Sequence, residues 1–439
     1  VSAIALPPIR RERLPSGLNV LVAARRGVPL AAVRLLVRAG SALDPAARFG
    51  LAHLVASAVR RGTRTRTGAR IDAEVEALGA ELGAGVDEDA ASVGLSAPVE
   101  ALPKLLDVVA DVATAPAFPA REVERLRRRE VAGLAHDLDE PGIVADRATL
   151  MAAYADHPYG HPSEGRGRHL AATRRGDLAE FHALHWRPSR ATLVIVGPVE
   201  PEATLALVRR RFGRWRGEPG GDLEIAPPAP LGGPAVVVVD QPELSQAQLR
   251  VAATGYARSS PDHAAGLVAG AVLGGGFTSR LMEAIRVNRG LSYGVRARFA
   301  SGRAGGLFFV SSFTKVETAG ALVGVALDEL ARFREAGPTE EELSRTRAYL
   351  GGLYPLALET HEGWAEKLSE MELYGLPPDE VSGFRARIEA VDAAACLDVA
   401  RRFLPGDRRV VVAVGPAKAL EPQLAAFGPV KVVPARTVM

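Results

Sequence analysis

Apolar residues along this chain fall into two kinds of pattern, and both kinds occur twice. Short β-branched runs read as strands at Leu18–Val22 and Val236–Val239. Two more runs follow proline corners. Arg187-Pro188 leads into Thr192-Leu193-Val194-Ile195-Val196-Gly197, and Leu404-Pro405 leads into Val410-Val411-Val412-Ala413-Val414-Gly415. Apolar residues at i, i+3, i+4 and i+7 predict a helix in each half. Leu102, Leu105, Leu106 and Val109 form the stripe in the first; Val323, Ala326, Leu327 and Leu330 form it in the second. After Pro119 and Pro338 comes a second, strongly charged helix, and Thr339 with Glu342 makes a capping box at the start of the latter.

Between these halves, residues 216–234 are rich in proline and glycine and lack apolar periodicity, so they read as a linker on the surface. A chain of 439 residues exceeds one ordinary core. The expected organisation is two homologous domains, 1–215 and 235–439. Strands and helices alternate without a steady βαβ repeat, which predicts an α+β fold with a mostly antiparallel sheet packed with helices in each domain. A cleft between two such domains is a natural place for a binding site.

Composition narrows the function classes. The chain is 47% hydrophobic and 24% charged, as in a globular protein. Its 54 basic and 51 acidic residues give a formal charge of +3, too small and scattered for a nucleic-acid binder. Arg127-Arg128-Arg129, inside the charged stretch from Arg121 to Glu130, reads as a solvated helix face. With Cys396 as the single cysteine, no intrachain disulfide or thiolate metal site can form. No apolar run reaches the roughly 18 residues needed to span a bilayer. Val1 in place of an initiator methionine fits a removed signal peptide or a trimmed start. The expected compartment is the periplasm, with the cytoplasm as alternative.

From Gly50 to Gly62 the chain reads Gly-Leu-Ala-His-Leu-Val-Ala-Ser-Ala-Val-Arg-Arg-Gly. A hydrolytic zinc site needs three protein ligands, an open position for water and a carboxylate to take the water's proton. On a helix, ligands four residues apart share one face. The segment resembles the His-x-x-Glu-His helix of pitrilysin/insulinase-type (inverzincin) zinc peptidases. The resemblance puts His53 at the first ligand, Ala56 at the catalytic glutamate and Ser57 at the second ligand. The family's third ligand is a glutamate on a later helix. Counting forward from Ser57, or back from Asp139-Glu140-Pro141, reaches Gly133 in both cases, with Glu130 one turn earlier. The chain is therefore expected to hold no metal at this site. A lone His53 on an apolar helix reads as a satisfied buried histidine, and Glu130 as a displaced ligand is the alternative. His157-Pro158-Tyr159-Gly160, Asp177-Leu178 through Phe181, and Trp186-Arg187-Pro188 extend the resemblance. Neither His157 with His161 nor His182 with His185 is expected to bind metal. The first pair is interrupted by Pro158 and Gly160, and the second has no acidic third ligand nearby in sequence.

The second half carries Leu273-Gly274-Gly275-Gly276-Phe277-Thr278-Ser279-Arg280-Leu281 and then Arg289-Gly290-Leu291-Ser292-Tyr293. Neither Gly-Lys-Ser/Thr nor Gly-x-Gly-x-x-Gly follows, so the glycines are not a phosphate loop. They read structurally as a turn that lets a helix approach a sheet. By resemblance, Arg289 and Tyr293 are the substrate-contacting arginine–tyrosine pair; a surface arginine and a core tyrosine unrelated to substrate are the alternative. Ser312-Phe313-Thr314-Lys315 matches Ser-x-x-Lys without its companion motifs. Thr314 with Glu317 reads as a capping box.

A ruined zinc motif with an intact arginine–tyrosine element is similar to the non-catalytic partner in heterodimeric bacterial members and to the alpha subunit of mitochondrial processing peptidase. The glycine loop is short, without the long extension of that alpha subunit, so the bacterial partner is the nearer match. The resemblance implies a substrate-binding subunit, inactive alone, that pairs with a homologous zinc-bearing subunit and contacts an extended peptide. The alternatives are a non-proteolytic structural or peptide-binding protein of the same fold, and an unaided hydrolase with a displaced metal site.

Overall fold

A computed structural model describes residues 4–217 and 224–439. Of the expected linker, residues 218–223 lie outside the described residues; Arg216, Gly217 and 224–234 carry neither helix nor strand. Among the described residues no helix is long and apolar enough to cross a membrane.

Among the described residues twelve strands form two sheets. The first contains β1 (Ile9–Arg13), β2 (Asn19–Ala24), β3 (Leu30–Val37), β4 (Gly83–Val86), β5 (Ala91–Pro98) and β6 (Ala191–Gly197), in the order β1-β2-β6-β3-β5-β4. The second contains β7 (Ala235–Asp240), β8 (Gln246–Thr254), β9 (Val295–Ser301), β10 (Gly306–Lys315), β11 (Val410–Gly415) and β12 (Val430–Pro434), in the order β12-β7-β11-β8-β10-β9. Five strands of each follow one scheme, β2-β6-β3-β5-β4 and β7-β11-β8-β10-β9. The duplication expected from the sequence is therefore present in the topology. The outermost strands differ: β1 runs antiparallel to β2, whereas β12 runs parallel to β7. Each sheet is mixed but mostly antiparallel, with β2 parallel to β6 and β7 parallel to β11. The fold is thus α+β, as the patterning predicts.

The central strands β6 and β11 are buried at every position, and both read as unbroken apolar runs rather than alternating ones. Such runs belong to strands covered on both faces. The covering elements explain why the compact units are not the linear halves of the chain. One unit comprises Val1–Gly133, Pro162–Ile225 and Tyr354–Ser382; the other comprises Leu134–His161, Ala226–Leu353 and Gly383–Met439.

In the first unit, one face of the sheet packs under the helix His361–Tyr374, a segment from late in the sequence. Leu21, Ala23, Ala32, Val194 and Val196 share a core with Trp364, Ala365, Leu368 and Met371. The start of that helix is fixed. Thr360 accepts from Gly363 N at 3.0 Å, and the buried His361 accepts from Arg25 Nη1 at 3.1 Å through Nδ1 while Nε2 donates to Val28 O at 3.2 Å. In the second unit, the helix Pro141–Tyr154 covers β8 and β11. The buried Arg250 of β8 ties it down, donating to Asp146 Oδ1 at 2.6 Å and Gly142 O at 3.1 Å. The two helices occupy equivalent places in the repeat, each following the charged helix of its half, so each half of the sequence closes the other's sheet. The capping box of the second charged helix forms as expected: Thr339 N donates to Glu342 Oε2 at 2.8 Å and Glu342 N to Thr339 Oγ1 at 3.2 Å.

This exchange makes a clear expectation. Trp364 is 3% exposed and Leu368 0%, and truncating side chains so buried costs about 3–5 kcal/mol for Trp and about 2–5 kcal/mol for Leu. Trp364→Ala or Leu368→Ala should lower stability by that much and speed amide exchange in β3 and β6, far away in sequence. Unchanged exchange in those strands would mean that the helix does not close this sheet.

Candidate functional site

The helix Leu51–Ala58 begins at Gly50, whose φ of +97° suits glycine and where a Cβ would press on Glu164 O. The carboxylate of Asp44 caps this end, accepting from Gly50 N at 2.6 Å and Ala52 N at 2.7 Å. Six of the eight helical residues are buried, and the two that are not are His53 and Ser57. They lie four apart and so share the open face. His53 is therefore not the buried histidine that an apolar frame suggested.

A carboxylate meets it. On the helix Ala120–His136, Glu130 Oε2 accepts from His53 Nε2 at 3.2 Å, and Oε1 accepts from Arg129 Nη2 at 2.7 Å. The hydrogen bond from His53, with that from Arg129 and against the effect of burial, holds the Glu130 carboxyl well down, at about 2. Sequence counting pointed to Gly133, but Glu130 lies three residues earlier and hence on the same helix face. That spacing was the available signal. Gly133 itself is open: a Cβ there would meet nothing within 4 Å.

These residues do not fit a catalytic zinc ion. Ser57 and Gly133 supply no ligand of the family type, and Ala56 is buried and supplies no base. The two remaining donors are hydrogen-bonded to each other, and among the described residues no group of three His, Cys, Asp or Glu side chains is placed to hold a metal.

The other histidines have structural partners. His157 bonds Ala226 O at 2.8 Å through Nε2 and accepts from Tyr159 N at 3.1 Å, and His161 is buried. His182 bonds Ala113 O at 3.0 Å and stacks on Trp186, and burial pushes it down to about 4. His185 is likewise pushed down to about 4, by burial and then by Arg190 and Arg187, and accepts from Arg190 Nη1 at 3.1 Å. Burial pushes the Cys396 thiol up to about 12, far from a nucleophilic thiolate.

The Arg289–Tyr293 element has a different character. The helix His263–Gly274 runs against β9 so closely that a Cβ on Gly274 would collide with Ala297, so Gly274 serves close helix–sheet approach, whereas a Cβ on Gly276 would meet nothing within 4 Å. Residues Glu283–Val287 then form a π-helical turn, closed by Asn288 N donating to Glu283 O at 2.9 Å. Such turns are rare and recur at functional sites. Arg289 Nη1 donates to Ala284 O at 2.9 Å, and Gly290 takes a φ of +61°.

Tyr293 is held outward. Its neighbour Ser292 is buried, and Ser312 Oγ bonds both Ser292 Oγ at 3.1 Å and Gly294 O at 2.8 Å. Thr314 Oγ1 donates to Leu291 O at 2.5 Å. Ser312 and Thr314 therefore fasten this loop, and Thr314 is not the helix cap that its spacing to Glu317 suggested. Tyr293 is left 74% exposed, which excludes a core role. The guanidinium over its ring is that of Arg286, 4.2 Å from the ring centroid and 5.1 Å from that of the exposed Phe277. Sequence reasoning missed Arg286 because Tyr293 lies beyond the helix, in a segment with no periodicity to relate the two. The element offers fixed phenol and guanidinium donors but no general base.

Known proteins resemble this chain along most of its length. The pattern of the family described as Insulinase (Peptidase family M16) matches residues 19–165, and that described as Peptidase M16 inactive domain matches residues 173–350. An uncharacterized zinc protease of Mycobacterium tuberculosis is 28% identical over 433 residues, spanning 97% of this chain and 98% of that protein. A probable mitochondrial-processing peptidase subunit beta of Arabidopsis thaliana is 25% identical over 434 residues, spanning 95% of this chain and 80% of that one. The crystal structure of a peptidase M16 inactive domain from Pseudomonas fluorescens matches with a TM-score of 0.88 at 26% identity, covering 93% of this chain and 98% of that one. A protease from Helicobacter pylori shares the fold at 18% identity and a TM-score of 0.87, covering 94% and 100%.

The His53–Glu130 contact has a pH signature. Glu130 is held below its ordinary 4.5, so its contribution is full above that pH and disappears as pH falls through about 2. Glu130→Gln should cost about 1 kcal/mol at neutral pH, the gap to the parent closing as pH falls from 4.5 toward 2 in urea titrations. A gap that stays constant across that range would contradict the assignment.

Proposed function

The chain belongs to the M16 (insulinase/pitrilysin) peptidase family, and we propose that it acts there as the non-catalytic, substrate-holding subunit of a two-subunit zinc peptidase. The observation that carries this reading is the contrast between two sets of family positions. Ala56, Ser57 and Gly133 have lost base and ligands, whereas Tyr293 remains 74% exposed on a loop fastened by Ser312 and Thr314. A relative named as a zinc protease supports peptidase descent, and a structural relative named as an inactive domain supports a chain without a catalytic centre of its own.

In this reading a homologous subunit with an intact His-x-x-Glu-His helix supplies the metal and the general base. This chain supplies donors. One guanidinium N–H of Arg289 is spent on Ala284 O, and the group's others remain for a ligand. Arg289 and the Tyr293 phenol hold a carbonyl oxygen of an extended peptide and stabilise the negative charge that develops on it as water adds. Donors already fixed in place cost little reorganisation at that moment, which is where their catalytic value lies.

Mixing purified subunits tests this. The zinc-bearing homologue alone should cleave poorly, and adding this chain should restore cleavage. Arg289→Ala combined with Tyr293→Phe should lower kcat by about 10²–10³ without preventing assembly. Equal cleavage by the homologue alone, or full activity of the double variant, would overturn the proposal. No activity with any homologous partner would favour a non-proteolytic structural or peptide-binding protein.

A further inference from the structure

Within the first unit, cations gather around Phe49, the residue just before Gly50. The guanidinium carbon of Arg166 lies 5.3 Å from the Phe49 ring centroid, and the His169 ring lies 5.1 Å from it. His169 Nδ1 accepts from Phe49 N at 3.2 Å. The proton of the neutral imidazole therefore sits on Nε2, which is left to donate. Arg48 precedes Phe49 in the chain, and Arg168 stands between Arg166 and His169. From Arg166 to Arg175 the chain carries four arginines and this histidine, and no acidic residue.

Little neutralises these charges. Among the described residues neither Arg166 nor Arg168 has a carboxylate partner. Asp177 Oδ2 reaches Arg48 Nε only at 3.6 Å and already accepts from Arg174 N at 2.7 Å. The carboxylate nearest to Arg166 in sequence, Glu164, bears on Glu88 instead. Burial, and then Arg168, Arg166 and Arg48, hold the His169 ring below its ordinary value, so all three cations act on one imidazole. The helix Ala120–His136 shows the contrast: Arg125, Arg127 and Arg128 each reach a glutamate within 2.9 Å.

An arginine that serves solubility extends into water. Arg166 instead lies over Phe49, with Nε closed off from solvent and bonded to nothing. Stacking fixes the plane of a guanidinium and leaves its terminal N–H edge for a ligand. Like charges held together repel, and a bound anion relieves that repulsion. One guanidinium edge satisfies a carboxylate. A phosphate dianion, with three oxygens and up to two charges, takes several cations at once.

We infer that Arg48, Arg166, Arg168 and His169, gathered around Phe49, bind the phosphate group of a phosphate monoester. Arg166 presents a fixed guanidinium edge, His169 Nε2 adds a donor, and Arg168 and Arg48 supply further charge. The ester belongs to a soluble small molecule or to a lipid headgroup, since both present the same dianion.

Titrating the full chain with glycerol phosphate, read by calorimetry and by the imidazole NMR signals of His169, tests this. Glycerol phosphate should shift those signals and bind at least about tenfold more tightly than acetate. Arg166→Gln combined with Arg168→Gln should weaken binding at least about tenfold. Arg10→Gln, which removes an exposed arginine paired with Glu202 in the same unit, should change it less than about twofold. A second arm uses phosphatidylcholine vesicles with and without phosphatidic acid. Vesicle binding that requires phosphatidic acid and is lost in the double variant identifies a lipid headgroup as the source. A response to glycerol phosphate alone identifies a soluble ester, and either result supports the site. Equal affinity for acetate and glycerol phosphate, no binding in either arm, or binding that a folded double variant retains would overturn it. Should the double variant not fold, Arg168→Gln alone, at an exposed position, decides: it should weaken binding at least about threefold, and unchanged binding would overturn the site. None of these outcomes bears on the subunit role proposed above.

Discussion

The closure of each sheet by a helix from the other half of the sequence is the constraint on which the rest of the structure depends. A central strand buried along its whole length and nearly all apolar, as β6 and β11 are, is stable only if both its faces are dry. The helices His361–Tyr374 and Pro141–Tyr154 provide the second cover. Neither half therefore has a complete core of its own, although the repeat in topology suggests two separable domains. The burial of Trp364 and Leu368, and the fixing of Arg250 on Asp146, tie sequence-distant segments into each unit. The Leu291–Gly294 loop is mounted on the second of these sheets.

On that frame the two sets of family positions have diverged in opposite ways. In the helix Leu51–Ala58 the open face keeps a geometry suited to ligands four residues apart, but the side chains leave a histidine and a glutamate hydrogen-bonded to each other. The carboxylate is held ionised by that contact and by Arg129. At the Leu291–Gly294 loop the investment is the reverse. Two buried hydroxyls and a π-turn hold an aromatic ring and two arginines at the surface, where they contribute little to a core. Exposed aromatic and cationic side chains on a fastened loop are what binding requires and what folding alone does not.

Much of this was legible in the residues. The strands around Leu18–Val22, Val194 and Val412, the amphipathic stripes and the Thr339–Glu342 box follow from local pattern, and the losses at Ala56 and Ser57 from the resemblance to the family's zinc helix. What was not legible depends on distance or on irregular backbone. Periodicity shows that a helix has an apolar face but not which sheet that face covers, so the exchange of His361–Tyr374 left no local trace. The partner of His53 was legible only as an alternative: counting reaches Gly133, Glu130 lies one turn earlier on the same face, and only the fold shows that Glu130 meets His53. Arg286 was hidden because Tyr293 lies beyond the end of the helix, in irregular backbone that no periodicity relates to it. Thr314 read as a cap because Glu317 lies at the right spacing, but its hydroxyl lies nearer Leu291 O.

In the proposed division of labour the metal-side residues of this chain are vestigial, and its contribution lies at Arg289 and Tyr293. Replacing His53 by alanine in the assembled two-subunit peptidase, and measuring zinc content and kcat together, tests it most directly. One zinc per pair and an unchanged kcat are expected. Loss of zinc and activity together, from an assembly that remains folded, would contradict it.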